Sequence, residues 1–101
     1  MKTESNGDTL LVTEFDNLSA AQAGLFRDLV QSSLLPEHRH VDVEMGAARF
    51  VDSEGLSALI SIHKSLAVRG GSVRLLNAGP MVRDLFKLTR LEGLFEFVSA
   101  N

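Results

Sequence analysis

A serine stands between two acidic residues in Phe50-Val51-Asp52-Ser53-Glu54-Gly55-Leu56, where an apolar stretch gives way to the clearest helical pattern of the chain. The first amides of a helix lack internal partners and carry partial positive charge. A hydroxyl placed there has two uses: it can cap those amides, or it can carry a phosphate that the same amides hold. Spacing alone leaves both readings open. Nucleophilic catalysis is a poor match. The hydrolase turn is Gly-x-Ser-x-Gly, and Val51 stands where its first glycine belongs. Asp52 and Glu54 would also oppose a developing oxyanion, and none of His38, His40 and His63 is an evident general base. No catalytic residue is assigned.

Other chemistries are thinly represented. His38 and His40 are two apart and could share a strand face, but no third ligand lies near them in sequence, and they read as exposed loop histidines. His63 falls at the margin of a helical stripe and reads as half-buried. With no cysteine there is no thiolate metal site, disulfide or thiol nucleophile. Gly70-Gly71 lacks the further glycines or lysine of a phosphate loop, so no nucleotide or other cofactor is expected. Lys64, Arg69, Arg74, Arg83, Lys87 and Arg90 are interspersed with acids and read as a solvated surface.

The elements that must position Ser53 follow from periodicity. Asn6-Gly7 suits a tight hairpin, and Thr9 to Phe15 is rich in strand formers; Met1 to Ser5 is either a short edge strand or a flexible tail. Ser19 is placed to cap a helix over Ala20 to Ser33, which Pro36 ends. Val41 to Met45 alternates apolar and acidic, the period of a strand covered on one side. Leu56, Leu59, Ile60, His63, Leu66 and Ala67 recur at helical spacing, so Leu56, Leu59 and Leu66 should face inward and Lys64 and Arg69 outward. Ser57, one turn into that helix, should be less accessible than Ser53. Gly70-Gly71 closes the helix before a strand at Ser72 to Leu76. Pro80 opens a further helix whose apolar side is Val82, Leu85, Phe86 and Leu88, and Leu94 to Val98 is a last short strand or turn.

Alternating strands and helices imply helices packed on a sheet, with right-handed crossovers making the central strands parallel. At 101 residues the chain has the size of one domain, read as spanning 1–101. A net charge of −3 argues against a basic nucleic-acid footprint. No apolar run reaches the roughly 18 to 20 residues that span a bilayer, and the polar start has no signal-peptide core, so a cytoplasmic protein without membrane insertion is expected.

These residues resemble the STAS domain of anti-sigma-factor antagonists. The family hallmark is an apolar pair, Asp, Ser or Thr, a small or polar residue, Gly and Leu, which Phe50 to Leu56 reproduces. The likeness runs from about Thr9 to Val98, through Gly70-Gly71, Pro80-Met81-Val82, Leu85-Phe86 and Gly93-Leu94-Phe95. Asp16 matches the aspartate that closes the family's second strand, although Thr13 stands where its glycine is usual. Glu44-Met45-Gly46 departs from the usual Asp-Leu-Ser, and Asp42 interrupts a run that is commonly aliphatic.

The resemblance implies an α/β STAS fold, a small mixed sheet flanked by three to four helices. It also implies that Ser53 is phosphorylated by a partner kinase. Glu54 replaces a common second hydroxyl, leaving Ser53 as the acceptor within the motif. Asp16, Asp52, Ser53, Glu54 and Gly55 would form the partner-binding surface. The implied partners are a serine-kinase anti-sigma factor or related regulator, and a metal-dependent phosphatase of the PP2C type that restores the unmodified form. The chain itself would be no enzyme. Two other roles fit the same surface: an accessory subunit docking on the ATPase of a lipid-transport ABC system, or a phospho-switched adaptor in another bacterial signalling pathway.

Overall fold

The computed structural model describes residues 1–99, so the last two positions of the expected 1–101 domain lie outside the described residues. The elements are β1 (Lys2–Asn6), β2 (Thr9–Thr13), α1 (Ala20–Ser33), β3 (His40–Glu44), α2 (Ser53–Ala67), β4 (Ser72–Leu76), α3 (Pro80–Leu88), a 3-10 turn (Glu92–Leu94) and β5 (Glu96–Val98). The five strands form one mixed sheet in chain order. β1 runs antiparallel to β2, and β2, β3, β4 and β5 are parallel. Met1 to Ser5 is thus largely an edge strand. Asn6 pairs with Thr9, leaving Gly7 and Asp8 as a two-residue hairpin loop, and Gly7 takes the positive φ of 64° that such a loop requires.

Alternation builds the core. Leu10, Val41 and Val73 stand abreast on neighbouring strands, as do Val12, Val43 and Leu75, and all six are buried. The helices cover this face with Ala23, Phe26 and Val30 of α1, Ala58, Leu59, Ile62 and Leu66 of α2, and Val82 and Phe86 of α3. Phe97 stands abreast of Leu75, and Phe86 meets it edge-on with ring centroids 5.5 Å apart, so α3 lies on the same side. A second edge contact, Phe86 to Phe95 at 5.3 Å, ties α3 to the chain entering β5.

The opposite face carries Thr9, Leu11, His40, Asp42, Ser72 and Arg74, all half-buried. Parallel sheets usually have both faces covered. Here the uncovered face is made polar instead: Arg74 Nε donates to Asp42 Oδ1 at 2.5 Å across the β3–β4 ladder, and its Nη2 reaches Thr9 Oγ1 at 3.1 Å. Asp42 therefore belongs to the face away from the core, which explains its place in an otherwise apolar strand.

Several boundaries and faces differ from the sequence reading. β2 stops at Thr13, two residues early, because Glu14 takes a φ of 61° and leaves the extended conformation. β3 begins one residue earlier than expected and ends at Glu44, although Met45 N still donates to Leu76 O at 2.8 Å. Leu59 and Leu66 of α2 are buried as expected and Leu56 packs half-buried against the core, but the buried face also takes in Gly55, Ala58 and Ile62. Ile60 and His63 are half-buried and Ala67 is exposed. Lys64 faces outward, but Arg69 does not. Its guanidinium donates to Leu35 O at 2.7 Å and His38 O at 3.1 Å, pinning the loop between α1 and β3. Leu88 is 83% exposed, since Val82 and Phe86, four residues apart, fill the core-facing side of the short α3.

His38 is fully buried, not an exposed loop residue. Its Nδ1 accepts from the Leu35 amide at 2.9 Å, so Nε2 carries the proton and donates to Ser5 Oγ at 2.8 Å. The ring thereby links the end of α1 to the edge strand.

Candidate functional site at the start of helix α2

Two loops meet where α2 begins. Asn17 Oδ1 accepts from the amides of Arg49 and Phe50, both at 3.0 Å. Leu18 N donates to Phe50 O and Asp52 N to Leu18 O, each at 3.1 Å, forming a one-rung parallel bridge between Leu18 and Val51. The segment before α1 is thus stitched along the segment before α2.

Asp52 completes this junction. One carboxylate oxygen accepts from Gly55 N at 2.9 Å and caps α2; the other accepts from Ala20 N at 2.9 Å, the first amide of α1. Ser19 occupies the N-cap position of α1, but it makes no side-chain cap bond, its hydroxyl donating to Gln22 Oε1 at 2.6 Å instead. Asp52 supplies the missing cap from 32 residues away. A carboxylate that accepts amide hydrogen bonds is favoured in its charged form. The Gly55 amide is the main influence holding the Asp52 carboxyl below its ordinary value; desolvation opposes it, and the Ala20 amide adds to the lowering.

Ser53 is consequently not the cap. It is the first residue of α2, exposed, and its hydroxyl makes no hydrogen bond among the described residues. Glu54 beside it is also exposed, in the first turn. Gly55 is buried against Leu18: a Cβ added there would come 2.3 Å from Leu18 O. No side chain fits that approach, so glycine is what lets α2 start flush against the backbone at Leu18. Ser57 is exposed too, since Ala58 and Leu59 beside it are the residues that turn inward.

Asp16 is exposed, with Oδ1 accepting from Asn17 N at 2.7 Å. Among the described residues no hydrogen bond joins it to Asp52, Ser53 or Glu54. Its connection to them runs through the backbone bridge that Asn17 and Leu18 make. Asn17, Leu18 and Arg49 were not singled out from the sequence. Asn17 carried a signal, a side-chain acceptor in a loop just before a helix, but the groups it holds are 32 and 33 residues away.

The histidines stand apart from this junction. His40 Nδ1 lies 2.9 Å from Ser72 Oγ and its Nε2 lies 3.9 Å from Asp8 Oδ2, on the uncovered sheet face, while His38 points to Ser5. His63 rests against Phe95, ring centroids 5.8 Å apart, with Nδ1 buried and unpartnered among the described residues. Among those residues no group of three or more His, Asp or Glu is arranged to hold a metal ion, and no helix is long and apolar enough to cross a membrane.

Comparison with known proteins places this arrangement. No curated protein matches the chain by sequence. Among solved structures, TM1081 of Thermotoga maritima, described as a candidate anti-sigma factor antagonist, superposes with a TM-score of 0.86 at 20% identity, covering 96% of this chain and 84% of that one. The anti-sigma factor antagonist SpoIIAA in its unphosphorylated form gives 0.80 at 19% identity, with 95% and 85% covered. The phosphorylated form of SpoIIAA, described as a Bacillus cell fate determinant, gives 0.74 at 18% identity, with 95% and 88% covered. Identities of this size speak for a shared fold: a five-stranded mixed sheet with three helices, as in SpoIIAA. The family model for the STAS domain matches residues 1–100, nearly the whole sequence, and the chain belongs to that family.

Proposed function

We propose that this protein is a phosphorylation-controlled binding module of the anti-sigma-factor antagonist kind. The unmodified surface around Ser53, with Asp16, Asp52, Glu54 and Gly55, binds a serine-kinase anti-sigma factor or a related regulator; phosphorylation of Ser53 ends the association, and a metal-dependent phosphatase of the PP2C type restores it. The chain is the substrate in this cycle and performs no chemistry of its own. Its place of action is the cytoplasm.

The observation that carries the reading is the division of labour between Asp52 and Ser53. Because Asp52 caps α2, the exposed Ser53 hydroxyl has no structural task. A phosphate adds about −1.5 to −2 charges at neutral pH. The Gly55 amide is held by the Asp52 side chain and the Leu56 amide by the Asp52 carbonyl, so the new charge is not drawn into the helix end but stays at the surface beside Asp52 and Glu54. A partner docked there meets a concentrated negative charge, and unfavourable charge juxtaposition at an interface weakens binding. SpoIIAA keeps this fold in both its unphosphorylated and phosphorylated forms, which supports a switch that acts without unfolding.

The test is affinity for the native kinase partner, measured for unmodified protein, authentically phosphorylated protein, Ser53→Ala and Ser53→Asp, with circular dichroism as a folding control. Ser53→Ala should bind constitutively even with ATP present, and its stability should change by no more than about 0.5 kcal/mol, as for a surface substitution that removes no cap. Ser53→Asp, with a single charge, should bind more weakly than the unmodified protein. Equal affinity of the phosphorylated and unmodified forms would remove the switch.

A further inference from the structure

Beside the Ser53 junction, the loop that follows β3 and the start of α3 enclose two adjoining clefts of about 280 and 180 Å³. Arg49, Met81 and Val82 line both. Phe50 and Leu85 add apolar walls to the smaller cleft, which also reaches Val51, directly before the Asp52-Ser53 turn. Phe50 is 53% exposed and Met81 75% exposed, so two large apolar side chains stand at the rim. Arg49 is the only charged residue lining either cleft, and its guanidinium has no ion pair or hydrogen bond among the described residues. The backbone beneath it is fixed, because Asn17 holds the Arg49 and Phe50 amides.

Shape and charge together choose the occupant. Small-molecule sites usually bury most of their ligand in one enclosed cavity, whereas these clefts lie side by side with Phe50 and Met81 exposed at their rim. They suit one or two anchoring side chains of a protein partner. A Met rim adapts to the shape of such an anchor. An unpaired guanidinium in an acid-free apolar wall selects a carboxylate, which it can hold with two parallel hydrogen bonds. We propose that this paired cleft docks a partner segment presenting a large apolar side chain next to an Asp or Glu, with Arg49 as the residue that selects the acid. The proposal rests on reading this end of the sheet as a partner surface and extends that surface from Ser53 to α3. It also gives the surface two parts of opposite electrostatic character: an acidic turn that becomes more acidic on phosphorylation, and a cationic apolar cleft.

The experiment uses the whole chain, labelled with nitrogen-15, and two short capped peptides that differ at two positions: Ala-Glu-Leu-Leu-Glu-Phe-Ala, and the same peptide with both Glu replaced by Lys. Titration to millimolar peptide should move the amide signals of Gly46, Gly79 and Met81. The Glu peptide should bind about twofold to fivefold more tightly than the Lys peptide, the strength of an exposed ion pair. Arg49→Glu should reverse that order, and since the Asn17 contact is to the Arg49 backbone, this variant keeps its fold. Met81→Ala should weaken both peptides alike. Equal binding of the two peptides, an order unchanged by Arg49→Glu, or no movement at Gly46, Gly79 and Met81 would overturn the proposal. Movement of the same signals with protein concentration, in the absence of peptide, would overturn it in favour of a second copy of the chain. The outcome is independent of the Ser53 switch: a cleft that prefers acid can coexist with a Ser53 phosphate that changes no affinity, and the reverse pair of results is equally distinguishable.

Discussion

The carbonyl oxygen of Leu18 lies where a side chain on Gly55 would have to go, 2.3 Å from an added Cβ. The obstacle is backbone, and that backbone is anchored by hydrogen bonds to Phe50 and Asp52, so it cannot rotate aside as a side chain would. Gly55→Ala should therefore destabilise the fold by about 1–3 kcal/mol, the usual cost of overpacking, despite alanine's better helix propensity. Urea denaturation would measure it, and a midpoint at or above that of the parent protein would contradict the close approach.

Asp52 should give the protein an acid-sensitive step. Its folded-state carboxyl is held below the ordinary value of 3.8, so its contribution to stability is complete above that value and is lost as pH falls through the lower folded value. Asp52→Asn leaves one carbonyl oxygen to serve two helix ends and does not titrate. The variant should be less stable than the parent at neutral pH, and the gap should narrow as the solution is acidified below the ordinary carboxylate range. Denaturation midpoints of both proteins across that range would test this; a gap that widens on acidification would contradict it.

Two leucines make a paired test of which apolar residues hold the sheet to its helices. Leu59 is fully buried in α2 and Leu88 is exposed at the end of α3. Leu59→Ala should cost about 2–5 kcal/mol, whereas Leu88→Ala should stay within about 0.5 kcal/mol of the parent. Denaturation curves of the two variants should separate cleanly with unchanged slopes.

His38→Phe would keep the ring volume while removing both ring nitrogens. The Leu35 amide and the Ser5 hydroxyl would lose their partner, and since both belong to exposed residues that water can reach, the cost should be about 0.5–1.5 kcal/mol per hydrogen bond. Faster hydrogen exchange in β1 than in β3 would show that the loss is felt first at the edge strand.

What was legible in the sequence was what short-range pattern encodes. The α1 boundaries at Ala20 and Ser33 follow from a helical stripe between a loop and Pro36, and the β2, β3 and β4 cores follow from alternation. The helix start at Asp52-Ser53 was equally visible, although a loop with a single bridge residue at Val51 leads into it where a strand was expected. What was not legible depends on residues far apart in the chain. The face of α2 is set by Gly55 against Leu18, which brings Ala58 and Ile62 in beside Leu59 and Leu66 and leaves Leu56 and Ile60 half-buried at its margin. The cap of α1 comes from Asp52 and not from Ser19, and the buried ring of His38 finds its hydrogen-bond acceptor in Ser5, 33 residues away. Arg49 was invisible because a single arginine in a loop has no periodicity, and only the placement of α3 gives it a cleft.

The two outer strands bear on how this protein keeps company with itself. An unpaired strand edge is a template for sheet-to-sheet association between molecules. β2 carries Leu10, Leu11 and Val12 and would offer an apolar edge, but β1 covers it with Lys-Thr-Glu-Ser-Asn, whose outward row holds charges of both signs. At the far side β5 is only three residues long and begins with Glu96, too short to nucleate a second sheet. The hairpin at Gly7 thus does for colloidal behaviour what the core does for folding: it replaces the apolar edge of β2 with a short polar one that carries charges of both signs.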